Sequence, residues 1–202
     1  MKLYYAQNTR AVRIAWLLEE LGLPYEIEKF QLGSPEMRSP DYRKIHPMGR
    51  VPALEDGDIT LFESGAIVEW VLAVHGNGRL QPPVGTKEFA QYLQWFHYCE
   101  GMIMPPINTI VVETILLPPE RRSEANAKRA IKLLSQMLTA VETHMEGRDY
   151  LAGEFTAADI MTGHSVTVSR EMLKLDFSGL PNLNAYADRL LARPALQKAW
   201  RL

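Results

Sequence analysis

Two short apolar runs, Val51 to Leu54 and Ile59 to Phe62, lie so close together that few folds can hold both. With the turn signal Asp56-Gly57 between them they predict a β-hairpin. Pro52 falls near the start of the first run, where the ladder can spare its N–H. An X-Pro bond in such a place is a candidate cis peptide. In that geometry the Val51 backbone would turn outward, with its N–H and C=O free to grip an extended peptide. Glu63-Ser64 follows the second run and opens the helical pattern Ile67, Val68, Val71, Leu72. A hydroxyl and the first N–H groups of a helix suit a carboxylate, and Glu63 suits an ammonium.

The rest of the chain falls into two compositions. Leu3-Tyr4-Tyr5 predicts a strand, Ala6 to Thr9 a turn, and Ile14, Leu17, Leu18 and Leu21 a helix with one apolar face, stopped by Gly22 and Pro24. Tyr25 to Leu32 alternates as a second strand, so the start of the chain is a βαβ unit. The hairpin and a helix from Ser64 to about His75 complete an α/β half over residues 1–76. Within it, Gly33 to Met48 carries Pro35, Pro40 and Pro47 and predicts a surface excursion with at most short helix. Residues 77–86, rich in Gly and Pro, form the linker.

Residues 87–202 predict helices only. Phe89 to Leu117 is one long helix bent at Pro105-Pro106. Arg121 to Met145 carries Leu134, Met137, Leu138 and Val141 on one face. Thr156-Ala157-Ala158-Asp159 is a capping-box-like helix start, flanked by Phe155 and Ile160 as a hydrophobic staple, and is a folding element rather than a site. Pro181 begins a helix with Leu183, Tyr186, Ala187 and Leu190 inward, and Pro194 ends it before a short tail. The fold class expected is α/β plus all-α.

Composition narrows the function. With 202 residues, 47% of them hydrophobic, the chain can bury a full core. A net charge of -2 gives no basic field for nucleic acid. Cys99 is the single cysteine, which excludes an internal disulfide and any multi-cysteine metal site, and no metal is expected. No apolar run approaches membrane-spanning length, so the expectation is a soluble cytoplasmic protein without a membrane partner.

Val51-Pro52-Ala53-Leu54 followed by Glu63-Ser64 resembles the glutathione-binding half of the cytosolic glutathione S-transferases. The run Thr9-Arg10-Ala11-Val12-Arg13-Ile14 to Gly22 is similar to a bacterial and fungal branch of that family with Ser-Arg at its head, and Thr9 takes the serine's place. The Thr156 to Asp159 start also resembles a capping motif of the family's helical domain. The resemblance covers nearly the whole chain. It implies a thioredoxin-like domain followed by an all-helical domain, a homodimer, glutathione as co-substrate and a small apolar electrophile. It places Val51 and Pro52 at the cysteinyl backbone, Glu63 and Ser64 at the γ-glutamyl end, and Arg50 near the glycyl carboxylate, with His46 as a possible assistant. Trp95 to Gly101 resembles a segment facing the dimer interface and cleft, where Glu100 would meet the substrate ammonium or stay solvated.

Conjugation needs the glutathione thiol as a thiolate. A free cysteine thiol titrates near about 8.5, and each unit of lowering is worth about 1.4 kcal/mol. A donated hydroxyl and a helix N-terminus together supply one or two units. In the turn after the first strand the donors are Thr9, which equally suits a helix cap, Asn8 through its amide, and, as the runner-up hydroxyl, Tyr5, which better suits a packed aromatic. Met102, Ile103, Met104, Pro105 and Ile107 would wall an apolar co-substrate or serve as core. Two rival readings share the scaffold: a glutathione-dependent disulfide reductase or peroxidase, and a non-enzymatic binding module.

Overall fold

The protein is described by a computed structural model covering residues 1–202. It divides into two compact units, Met1–Gln81 with Leu191–Leu202, and Pro82–Leu190.

The first unit begins β1 (Lys2–Tyr5), α1 (Ala11–Leu21), β2 (Glu26–Lys29), and continues through a short helix α2 (Tyr42–Ile45) to β3 (Ala53–Asp56), β4 (Ile59–Phe62) and α3 (Ser64–His75). The sheet order is β2-β1-β3-β4, with β1 parallel to β2 and the other pairs antiparallel. The hairpin is present, one residue displaced from its sequence signal. Asp56 pairs with Ile59, so the two-residue loop is Gly57-Asp58, with Gly57 at φ 59°. The strand begins at Ala53 rather than Val51, and the Val51-Pro52 bond, which is cis, lies ahead of the ladder. β2 is shorter than the alternation over Tyr25 to Leu32 suggests.

Helix α1 carries the core. Ile14, Leu17, Leu18 and Trp16 have no exposed surface, and Gly22 closes the helix in the left-handed conformation, with Leu23 N–H bonding back to the Leu18 carbonyl. The chain's last segment is where sequence reading fails. Pro194 does not introduce a tail. It starts a helix, Pro194–Arg201, which packs on α1 inside the first unit. Proline is tolerated in a helix's first turn, where its missing N–H has no partner to lose. Tyr5 donates its hydroxyl to the Ala199 carbonyl at 2.9 Å, Arg193 grips Glu20 through two nitrogens at 2.6 and 2.8 Å, and Lys198 meets Glu19 at 2.8 Å.

The second unit is helical. α4 (Lys87–Tyr98) runs into a widened π turn at Cys99–Ile103, then α5 (Met104–Val111) and a second π stretch, Val112–Leu116. The expected bend at Pro105-Pro106 is realised one turn earlier. The prolines cannot donate to the carbonyls four residues before them, so the irregularity falls there. α6 (Glu124–His144) buries Leu134, Leu138 and Val141 as its pattern predicts. α7 (His164–Glu171) and α8 (Pro181–Leu191) follow, and the terminal helix of the first unit is α9. Ile103, Met104 and Ile107 are core; of the five expected wall residues only Met102 and Pro105 are exposed. No helix is long and apolar enough to cross a membrane.

The capping motif at Thr156 is fully formed. The Asp159 carboxylate accepts from Thr156 N–H (2.8 Å), Thr156 hydroxyl (3.2 Å), Leu151 N–H (3.0 Å) and Tyr186 hydroxyl (2.8 Å).

Candidate functional site

The loop from His46 to Pro52 is held from three directions. Tyr42 donates its hydroxyl to the Arg50 carbonyl at 2.6 Å, Gly49 N–H bonds the His46 carbonyl at 2.7 Å, and Met48 N–H bonds His46 Nδ1 at 3.3 Å. Gly49 has φ 60°, and a Cβ there would collide with the Met37 carbonyl oxygen, so the loop needs glycine. Just beyond it, Val51 makes no backbone hydrogen bond to the rest of the protein, since the β1–β3 pairing starts at Ala53. The carbonyl and N–H that the sequence assigned to a peptide clamp thus lie on the approach to the ladder, unpaired.

β4 then delivers the chain to α3 through Glu63, whose φ of 73° is a strained value for a residue with a side chain. The turn aims the helix mouth without closing it. Glu63 makes no side-chain cap, its carbonyl already accepts from Ile67 N–H, and the N–H groups of Ser64, Gly65 and Ala66 have no partner within the helix. Ser64 is 3% exposed, and its Oγ accepts from Arg13 Nη1 at 3.1 Å. Arg13 projects from α1 with no exposed surface at all. Sequence reading passed over it as one cation in a helix. The available signal was its position four residues before Leu17, on the stripe that α1 buries.

His46 is buried, at 6% exposure, and packs against Phe62 with ring centroids 4.9 Å apart and the rings tilted by 38°. Because Nδ1 accepts from Met48, the neutral ring carries its proton on Nε2. Burial pushes its pKa down; Glu63 pulls it up, and Arg50 and Arg10 push it down further. Four charged or titratable residues from three stretches thus share one neighbourhood.

The turn after β1 is less open. Thr9 donates its hydroxyl to the Ala6 carbonyl at 2.6 Å and accepts from Ala11 N–H at 3.2 Å, which is the behaviour of a helix cap. Asn8 is exposed, at φ 60°, a conformation asparagine tolerates. Tyr5 is 1% exposed with its hydroxyl committed to Ala199, and burial pushes its pKa up to about 12. Of its two sequence readings, the packed aromatic is the one this geometry has. Glu100 lies on the second unit, half-buried in the first π turn. No group of three or more His, Cys, Asp or Glu side chains is placed to hold a metal ion.

Comparison with known proteins bears on both units. The model of the glutathione S-transferase N-terminal domain matches residues 1–73, and that of the C-terminal domain residues 103–194. Glutathione S-transferase 4 of Zea mays is 32% identical over 193 residues, 90% of this chain and 82% of the maize protein. The crystal structure of a glutathione transferase from Methylococcus capsulatus superposes with a TM-score of 0.86 at 31% identity, covering 99% of this chain and 97% of that one. That of the glutathione transferase URE2P6 from Phanerochaete chrysosporium, in complex with oxidized glutathione, gives 0.87 at 26% identity, with 99% and 94% covered.

Proposed function

We propose for this chain, which belongs to the glutathione S-transferase family, the conjugation of glutathione to small apolar electrophiles. The observation that carries the reading is the open mouth of α3, with Ser64 and three unpartnered N–H groups, following a cis prolyl loop whose Val51 backbone is unpaired. Glutathione offers an amino-acid carboxylate to Ser64 and those N–H groups, an ammonium to Glu63, and its cysteinyl backbone to Val51 beside Pro52. Arg50, with His46 behind it, takes the glycyl carboxylate.

Thr9 is assigned to the thiol. Its hydroxyl bonds Ala6 in this structure and would turn from that carbonyl to the sulfur, with Asn8 as the flanking donor. The thiol loses its proton to solvent. The thiolate sulfur then forms a bond to an electrophilic carbon, and the leaving group departs with its electron pair. The protein contributes positioning and a stabilised thiolate. Met102 and Pro105, exposed on the helical unit, are assigned to the electrophile. A homodimer is part of the reading, supported by Met48, Ile59, Phe62 and Val74, apolar side chains that the first unit leaves exposed. The cytoplasm, where thiols are kept reduced, is the compartment assigned.

Calorimetry with reduced glutathione, followed by a chlorodinitrobenzene assay, tests the proposal. Saturable binding and a glutathione-dependent conjugate are expected. Folded protein that takes up no glutathione would end the enzymatic account. A second reading, glutathione-dependent disulfide reduction, is favoured by the oxidized glutathione held by the Phanerochaete relative. Faster turnover of hydroxyethyl disulfide than of chlorodinitrobenzene would put it first.

A further inference from the structure

An ionised guanidinium with no exposed surface is an unusual thing for a small α/β unit to keep. Burying a cation costs more than it returns unless hydrogen bonds and countercharge compensate. Arg13 sits among eight other buried residues of α1, and its Nη1 reaches Ser64 Oγ on α3, fifty-one residues away in sequence. We propose that Arg13 is a positioning residue for the carboxylate site at the mouth of α3, setting the direction of the Ser64 hydroxyl and placing a fixed positive charge behind it. The proposal rests on the reading of that mouth as the γ-glutamyl site.

The chemistry of the pair supplies the reason. A serine hydroxyl has one hydrogen and two lone pairs, and a guanidinium only donates. With Arg13 donating, the oxygen must accept, and its hydrogen is directed away from Arg13. Ser64 is then a committed donor, beside the unpartnered N–H groups of its own helix. Without Arg13 the rotor is free to accept as well as donate, and the mouth keeps only the partial charge of the helix terminus. The cation acts from the protein side, where salt screens it weakly. Arg50 is exposed and is screened like any surface charge.

The test compares two ligands on the intact protein by calorimetry: reduced glutathione, and γ-aminobutyryl-cysteinyl-glycine, which keeps the amine and thiol but lacks the amino-acid carboxylate. Arg13→Met keeps the bulk and removes the charge. Glutathione should bind about 10- to 50-fold more weakly to it, as expected for a charge-assisted contact, while the decarboxy analogue should change less than about twofold. The loss should persist at high salt. Arg13→Lys should recover part of the preference for glutathione. Arg13→Met on a Ser64→Ala background should cost less than on the wild type, because the two act as one unit.

Equal weakening of both ligands would show that Arg13 only holds α1 and α3 in shape, and would overturn the proposal. So would unchanged glutathione affinity. Should Arg13→Met fail to fold by circular dichroism, the same two-ligand ratio in Arg13→Lys decides: a ratio lowered below wild type supports the proposal, and an unchanged one overturns it. If the wild type itself fails to prefer glutathione to the analogue, the reading of the helix mouth falls, and this proposal with it. Wild-type preference with equal losses in the variants removes this proposal alone.

Discussion

The protein contains two helix starts that answer the same problem in opposite ways. At Thr156 the orphan donors are closed off by the chain itself: Asp159 takes four hydrogen bonds and Ala158 N–H bonds the Thr156 hydroxyl. At Glu63 no side chain caps the helix, the backbone is strained, and the nearby hydroxyl is held from below by a cation. A capped terminus contributes stability and binds nothing. An uncapped one leaves its donors to a ligand. Function is therefore to be sought at the helix start left unfinished beside an unpaired stretch of backbone.

The contrast can be broken most decisively at the capped end. Asp159→Ala should destabilise the protein by about 3–5 kcal/mol, since it strips a buried acceptor from four donors at once. Urea unfolding would measure this, and a loss under about 1 kcal/mol would remove Asp159 from its structural role. The open end should respond chiefly in binding. Ser64→Ala is expected to weaken glutathione binding by about tenfold or more, in line with a hydrogen bond to a charged group, while urea stability falls by about 1–3 kcal/mol, less than for Asp159→Ala, because the buried Arg13 loses one acceptor. Stability loss with unchanged affinity would make Ser64 a cap after all.

The turn after β1 falls between the two. Thr9→Ala should raise the pKa of bound thiol by about one unit, seen as an alkaline shift of the pH–rate profile. Tyr5→Phe should leave that profile in place and cost about 1 kcal/mol of stability, the net value of its bond to Ala199. A profile that moves for Tyr5 and not for Thr9 would exchange their roles.

The smallest effect is expected at the far end of α3. Asp56 accepts from Trp70 Nε1 at 2.9 Å and pairs with His75 Nε2 at 2.7 Å, and these bonds, His75 first, hold its carboxyl below the ordinary value. A carboxyl depressed by folding stabilises above its unfolded pKa, and that stability is lost as pH falls through the folded one. Asp56→Asn should therefore differ from wild type most near neutral pH and converge with it in acid. Urea curves at several pH values would show whether the gap closes.

Much of this was written in the sequence because it rests on local rules. The prolyl junction, the hairpin, the Ser64 helix start and the Gly22 stop each follow from two or three adjacent residues. What escaped depends on partners distant in the chain. The loop falls one residue beyond the turn signal because the β3–β4 ladder extends to the Asp56–Ile59 pair. Pro194 starts a helix that α1 holds, and nothing local separates a proline that ends one helix from one that begins the next. Arg13 was overlooked because a charge on an amphipathic helix ordinarily faces water, and its partner is on another element. His46 stands in a loop, where side chains ordinarily face water, yet it is buried against Phe62.

The return of α9 to the first unit has a consequence for how the molecule is made. The sheet and α1 are translated early, but the helix that receives the Tyr5 hydroxyl and the Glu20 carboxylate comes from residues 194–201. During synthesis the helical unit has all its residues before the first unit has residues 191–202. The half named first in the sequence is therefore the one completed second. Any cut that keeps residues 1–81 and discards the terminal helix would leave α1 with one side bare and two of its acidic residues without their cations.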